Sequence, residues 1–349
     1  MITSLKILII SLSVLLLIHS CFEPYDNKDE NFKPNLIVDA EISDTDTSHI
    51  IKISEAQKTD IQTFKGYSGA KVLLKSNEND ELVFSETTTA GHYKYTGVLN
   101  DAKGYALEVQ VNDKVVVTSP IQYFPESFIV DSLRNYTEYV RTQKPNGSVF
   151  QEYIVNFNAE ARKPTIEKEV FVRFDIETVF LVLELICSPF ISPKTCYVYN
   201  NRSNFEINLL KVPVSTSEIN ISQKIFSKTL DYEFGGAFSV KADVKSYNQE
   251  NFKYWQQYKS VFDQSGSVDD LIPARISGNL TSSSGNVLGL FSLVRKSSVF
   301  KIIRRGEAGG RSVEPYCGTP GFYEPWPRPS ECCECLRFAN STLTKPYYW

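Results

Sequence analysis

Short apolar stretches that alternate with polar residues run through most of this 349-residue chain. In YALEVQV, Tyr105, Leu107, Val109 and Val111 alternate with Ala106, Glu108 and Gln110, the period of two that gives a β-strand one buried face. Similar stretches between Pro34 and Ser119 are NLIVDAEI, SHIIKISEA, AKVLLKS, ELVFSE, GHYKY and KVVVTS. They are rich in Val, Ile and Tyr, and Gly, Asn and Asp separate them. Seven short strands over this span predict an immunoglobulin-like β-sandwich at residues 34–122. The Cys-Trp-Cys signature of antibody domains is missing, so the expectation concerns architecture alone.

The prolines of SPIQYFPES mark a junction, and strand-like segments resume after it, among them EYIVNFNA, EVFVRFDIE, TVFLVLEL, AFSVKADV and LGLFSLV. One segment breaks the period. In SYNQENFKYWQQYKSVFDQ, Phe252, Trp255, Tyr258 and Phe262 recur every three to four residues, which predicts a helix near 247–263. Ser246 and Gln249 are spaced as a capping box for it. An aromatic stripe at helical spacing ordinarily packs on a sheet, and that is expected here in preference to a ligand platform. The expected fold class is mainly β: the N-terminal immunoglobulin-like β-sandwich, then a second β-rich domain at residues 123–349 carrying one clear α-helix.

The first residues bear on where this fold forms. Lys6 precedes ILIISLSVLLLI, too short to span a bilayer comfortably but suited to the core of a signal peptide. It leads into Leu17-Ile18-His19-Ser20-Cys21, which looks like a bacterial lipobox. Cleavage behind Ser20 would remove residues 1–20, make Cys21 the acylated N-terminus and leave 21–33 as a tether. Lys6 is the only charge lost, so 36 basic residues remain against 41 acidic ones, a net of −5. No basic patch points to nucleic acid or anionic lipid as a partner. Membrane association is expected from acyl chains on Cys21.

An exported chain folds where disulfides persist, so Cys187, Cys196, Cys317, Cys332, Cys333 and Cys335 are read as bridge partners. Cys187 and Cys196 flank SPFISPKT, and a bridge between them would staple the loop ends. The other four allow three pairings. Adjacent Cys332 and Cys333 are poorly placed to join each other, and Cys317 is expected to reach one of Cys332, Cys333 or Cys335, pinning GFYEPWPRP. A tetrathiolate zinc site is disfavoured, because a lone Cys317 and a cramped CCEC do not make two separated knuckles. No metal or other cofactor is expected. Tyr323 and Trp326 of the pinned segment are candidate ligand-contact aromatics, with packing against the sandwich the favoured alternative. The closing KPYYW reads as an apolar plug docked on the β-domain.

No catalytic residue is assigned. His19 falls in the signal segment, and His49 and His92 sit singly in strand-like stretches. GxSxG, HExxH and Gly-rich phosphate loops are missing, which removes the local mechanics of hydrolases, zincins and nucleotide-binding enzymes. Asp39 with Glu41, and Asp175 with Glu177, pair across one strand residue as glycan-acting carboxylates could. The same spacing describes an exposed strand face, which is the reading adopted.

The order of these signals carries a resemblance. A lipobox, strands containing GHY and GYALEV, then YNQENFKYW, ARISGNL and VLGLFSLV, and cysteines before KPYYW together resemble the domain-of-unknown-function 4249 family of exported, Bacteroidetes-type bacterial lipoproteins. Cys332, Cys335, Lys345, Pro346 and Trp349 match the family's ending, whereas Asn340 and Ser341 stand where a glycine-containing link is usual and Cys333 is additional. Members are commonly encoded beside TonB-dependent outer-membrane receptors. The resemblance therefore implies an outer-membrane lipoprotein acting as a non-catalytic accessory or ligand-binding partner of a TonB-dependent receptor. A surface adhesion module is the alternative, and a glycan- or peptide-acting enzyme the weaker third. Lys28-Asp29-Glu30 suits either a surface-export signal or a solvated tether, so the membrane face stays open, with the cell surface favoured.

Overall fold

The structure, a computed structural model, describes residues 35–57, 64–112, 114–143, 147–163, 165–187, 190, 192–201, 206–264, 276–283, 287–318 and 329–349. The stretches named above become strands, EVFVRFDIE and TVFLVLEL as a single one, whereas SFIVDSL joins a strand only from Ser132 and the described part of ARISGNL forms none. β1 (Leu36–Ser43), β2 (Ser48–Glu55), β3 (Lys71–Ser76), β4 (Glu81–Glu86), β5 (His92–Thr96), β6 (Tyr105–Val111) and β7 (Lys114–Thr118) come first. β8 (Ser132–Gln143), β9 (Val149–Lys163), β10 (Val170–Leu183), β11 (Thr195–Asn201), β12 (Asn208–Val212), β13 (Ile219–Thr229) and β14 (Ala237–Tyr247) follow. After the helix α1 (Gln249–Gln264) come β15 (Thr281–Ser282), β16 (Val287–Arg304) and β17 (Ser341–Thr342). Among the described residues, no helix is long and apolar enough to cross a membrane.

Fourteen strands form one mixed sheet in the order β15-β7-β6-β3-β4-β5-β2-β1-β16-β14-β10-β11-β17, with β12 also on β10; β13, β9 and β8 form a smaller sheet. The large sheet serves two cores. Val38, Ala40 and Ile42 of β1 share the first with Val72 and Leu74 of β3 and Leu107 and Val109 of β6. β4 joins β5 through Ser85 opposite Lys94 and Glu86 opposite Tyr93. In the second core the small sheet lays Leu133, Val155, Phe157 and Phe226 on Phe174, Ile176, Ala242 and Val244 of the large one.

β16 belongs to both cores. Its first half runs parallel to β1, from Leu36 opposite Val287 to Ser43 opposite Val294. Its second half is antiparallel to β14, from Ser246 opposite Arg295 to Ala237 opposite Arg304. Phe291 and Leu293 complete the first core, while Val299 and Ile303 pack in the second. The seven N-terminal strands thus close their core only with a strand from the far side of the 122/123 junction. Gly289 lets β16 come this close to β1: its φ is +106°, and a Cβ would lie 1.9 Å from the Val38 carbonyl oxygen.

The helix cap differs from expectation. α1 starts at Gln249, and Asn248 is the capping residue: the Asn251 N–H donates to Asn248 Oδ1 at 2.8 Å. Ser246 is held in β14, opposite Val172 and Arg295, and its Oγ accepts from the Phe128 N–H at 3.1 Å. The strand's run to Tyr247 takes Ser246 out of reach of the helix end.

The disulfides join Cys187 to Cys333, Cys196 to Cys335 and Cys317 to Cys332. The expected Cys187–Cys196 bridge does not form. Cys196 stands opposite Val182 and is sunk in the second core, whereas Cys187 lies past the end of β10. Glu184 closes the loop neck in place of that bridge. Its N–H donates to the Lys194 carbonyl at 3.0 Å, and its buried carboxylate accepts from the N–H groups of Lys194 (2.8 Å) and Cys335 (2.9 Å). The three cysteines of CCEC thus tie the tail to β11 and to the segments that follow β10 and β16. Beyond them Tyr348 packs on Phe300 and Trp349 meets Tyr197 edge-on, while Tyr347 stays 82 % exposed.

Replacing Gly289 with alanine is expected to lower stability by about 2 kcal/mol or more, from the disfavoured backbone angle and the clash with Val38. A lower urea midpoint against the unchanged chain checks this.

Candidate functional site

The alternation in β1 builds the site. Val38, Ala40 and Ile42 enter the N-terminal core, which leaves Ile37, Asp39 and Glu41 on the opposite face. The same parity places Leu290, Ser292 and Val294 of β16, Lys245 and Tyr247 of β14, and Phe171, Arg173 and Asp175 of β10 on that face. α1 lies across it. Phe252 is the anchor, packed with Phe171, Tyr247 and Val294. Amide side chains fix the helix start: Asn248 and Asn251 donate to Gln122 Oε1, and Asn279 donates to Asn251 Oδ1 at 3.2 Å. Asn279 also stands in for a strand partner of β16, donating to the Phe291 carbonyl at 2.7 Å and accepting its N–H at 3.0 Å.

Between α1 and the β1–β16 pair opens a cavity of about 410 Å³, a size usual for small-molecule sites. Tyr254, Trp255, Tyr258 and Phe262 wall it on the helix side, and Ile37 and Leu290 on the sheet side. The aromatic stripe is therefore divided. Phe252 packs as expected, but Tyr258 and Phe262 remain 41 % and 38 % exposed and line the cavity. The helix seats only its first turns on the sheet, and its later turns stand off from β1.

A buried ion cluster lies beside the cavity, which Glu41 also lines. Lys245 Nζ is 2.5 Å from Glu41 Oε1 and 2.6 Å from Asp175 Oδ2. Arg173 grips Asp175 with Nε and Nη2, both at 2.8 Å, and reaches Glu41 Oε2 at 3.3 Å. The Tyr247 hydroxyl donates to Glu41. The Trp255 ring covers the Arg173 guanidinium, 3.8 Å from ring centroid to Cζ. Burial alone would raise the carboxyls of Glu41 and Asp175, but Arg173 and Lys245 outweigh it and hold both below the usual carboxylate range. Burial pushes the Tyr247 hydroxyl well above its ordinary value, so it stays a neutral donor.

The reading of Asp39, Glu41, Asp175 and Glu177 as a solvated face is corrected for two of them. The shared parity is real, but α1 and Trp255 cover Glu41 and Asp175. Asp39 stays exposed, 3.9 Å from Lys52, and Glu177 accepts from the Tyr348 hydroxyl at 3.4 Å. Arg173, Lys245, Tyr254 and Ser292 are the site residues that sequence reasoning passed over. For the two cations a signal existed: alternation in EVFVRFDIE and KADVKSY puts Arg173 beside Asp175 and Lys245 on the outward face of its strand.

Among the described residues, three polar atoms here are buried without a partner: Trp255 Nε1, Ser292 Oγ and Arg173 Nη1. Trp255 and Ser292 line the cavity, and Ser292 is 0 % exposed. His49 lies apart from them, bonded to the Gly97 carbonyl at 3.0 Å and lowered in pKa by burial. No group of three or more His, Cys, Asp or Glu suited to a metal occurs among the described residues. Cys21, Tyr323 and Trp326 lie outside the described residues.

Arg173→Met is expected to cost about 3 kcal/mol, because it leaves two carboxylates, 20 % and 19 % exposed, to one cation. Thermal or urea unfolding checks it. The cluster also predicts an acid limb. Glu41 and Asp175 titrate lower in the folded than in the unfolded chain, so their contribution is complete at neutral pH and fades as the pH falls below about 4. Urea midpoints measured down the pH scale should fall through that window, and fall less steeply in Glu41→Gln.

Comparison with the curated proteins and with the solved structures finds no match. A family model described as "Domain of unknown function (DUF4249)" matches residues 23–299, a span that takes in the whole cleft, α1 and the β1–β16 pairing, and the chain belongs to that family.

Proposed function

We propose that this chain is a lipid-anchored, non-catalytic ligand-binding protein of the bacterial outer membrane that works with a TonB-dependent receptor. The observation that carries ligand binding is the cavity under α1, where four aromatic side chains meet buried polar atoms that have no partner of their own. Ionisation supports the non-catalytic role. A carboxyl serving as general acid needs its pKa raised, whereas Glu41 and Asp175 are both lowered and each is matched by a cation. The lipobox-like run ending at Cys21 supports the anchor, and the family's association with such receptors supports the partner. The immunoglobulin-like description of the N-terminal strands belongs to the same reading, supported by the single core that these seven strands share.

The test is purification of the tagged chain from its native envelope in mild detergent. A TonB-dependent receptor should accompany it, and an acyl label should be incorporated and lost in Cys21→Ala. Recovery without any receptor would overturn the partnership, and an unlabelled chain would overturn the anchor.

A further inference from the structure

We infer that the cavity under α1 binds a neutral saccharide, with a sugar ring stacked on the aromatic wall of the helix and hydroxyls pairing with Ser292 Oγ and Trp255 Nε1. This rests on the ligand-binding reading above and narrows it to one chemical class.

The wall sets the first requirement. Tyr254 and Tyr258 lie nearly parallel, 27° apart with centroids at 6.4 Å, and Trp255 stands 5.7 Å from Tyr258. Such a strip accepts a flat apolar face, which aromatic side chains hold by dispersion and by their quadrupole. The unpartnered atoms set the second. An indole N–H can only donate, so it needs an acceptor, and a hydroxyl buried at Ser292 needs either kind of partner. A wholly apolar occupant would leave both unmet.

Charge sets the third. Arg173 and Lys245 are matched by Glu41 and Asp175, so the cluster presents no net positive charge to an anion, and the exposed Asp39 on the lining repels one. A cation would gain only the single exposed carboxylate of Asp39, which already lies 3.9 Å from Lys52, and the Trp255 ring already carries the Arg173 guanidinium. The backbone sets the fourth. β1 is paired with β16 along its length and with β2 from Leu36 to Asp39, and Asn279 occupies the edge of β16 at Phe291. The main-chain mode of peptide capture is therefore disfavoured beside the cavity. A neutral ring bearing hydroxyls on its rim and C–H groups on its face meets all four conditions.

The test uses the full-length mature chain in detergent, screened against a panel of neutral oligosaccharides, their uronic-acid or sialylated counterparts and unrelated peptides. Binding of a neutral oligosaccharide is expected, with quenching of tryptophan fluorescence. Phe262→Ala and Tyr258→Ala, at half-exposed positions, should each weaken it about tenfold. Ser292→Ala should weaken binding while leaving the thermal midpoint unchanged or higher, since it removes an unpaired buried hydroxyl. Neutral binding that survives all three variants would overturn the inference, as would preference for acidic sugars or for peptides. A blank panel with the receptor still co-purifying would sink the saccharide and leave the proposed function standing. Saccharide binding without receptor co-purification would do the reverse.

Discussion

The parallel pairing of β1 with the first half of β16 is the constraint on which the rest of the molecule depends. It supplies Phe291 and Leu293 to a core that seven N-terminal strands leave open. It also sets β1 beside β16, β14 and β10, so that the outward parities of four strands far apart in sequence become one surface. The cleft is the part of that surface that α1 overhangs.

The ion cluster is best understood as a register device. Its members come from β1, β10 and β14, with β16 running between Glu41 and its cations. A buried pair contributes little net stability once desolvation is counted, but a displaced one is costly. A slip of one residue in β1 would turn Glu41 into the apolar N-terminal core and Ala40 toward Arg173. The cluster thus penalises one-residue slips of β1, which reverse the face of every side chain. The same electrostatics favour the ionised forms of Glu41 and Asp175.

Much of this was legible locally. Alternation in NLIVDAEI or YALEVQV reflects the pleat itself, and the three-to-four spacing of Phe252, Trp255, Tyr258 and Phe262 reflects the helix, so elements could be read residue by residue. What was hidden was non-local. LGLFSLV reads as one strand among others, and nothing in it announces β1 as its partner. Ser246 has the right spacing for a cap, but a strand claims it first. Cys187 and Cys196 look like neighbours in sequence, yet the β10–β11 register sends them to different depths. Strand parity puts Glu41 and Asp175 on the correct face but does not say what will cover that face.

The double service of β16 also bears on how the protein comes to be made. A polypeptide emerging N-terminus first presents β1 to β7 long before Phe291 and Leu293 exist to fill their core, and with the outer edge of β1 unpaired. An unpaired edge beside exposed apolar side chains is a template for joining other chains. The bridges to Cys333 and Cys335 span 146 and 139 residues, so they cannot clamp the middle of the chain early. The nascent protein therefore has no safe halfway point. Its first half must be kept apart from its neighbours until its last third arrives.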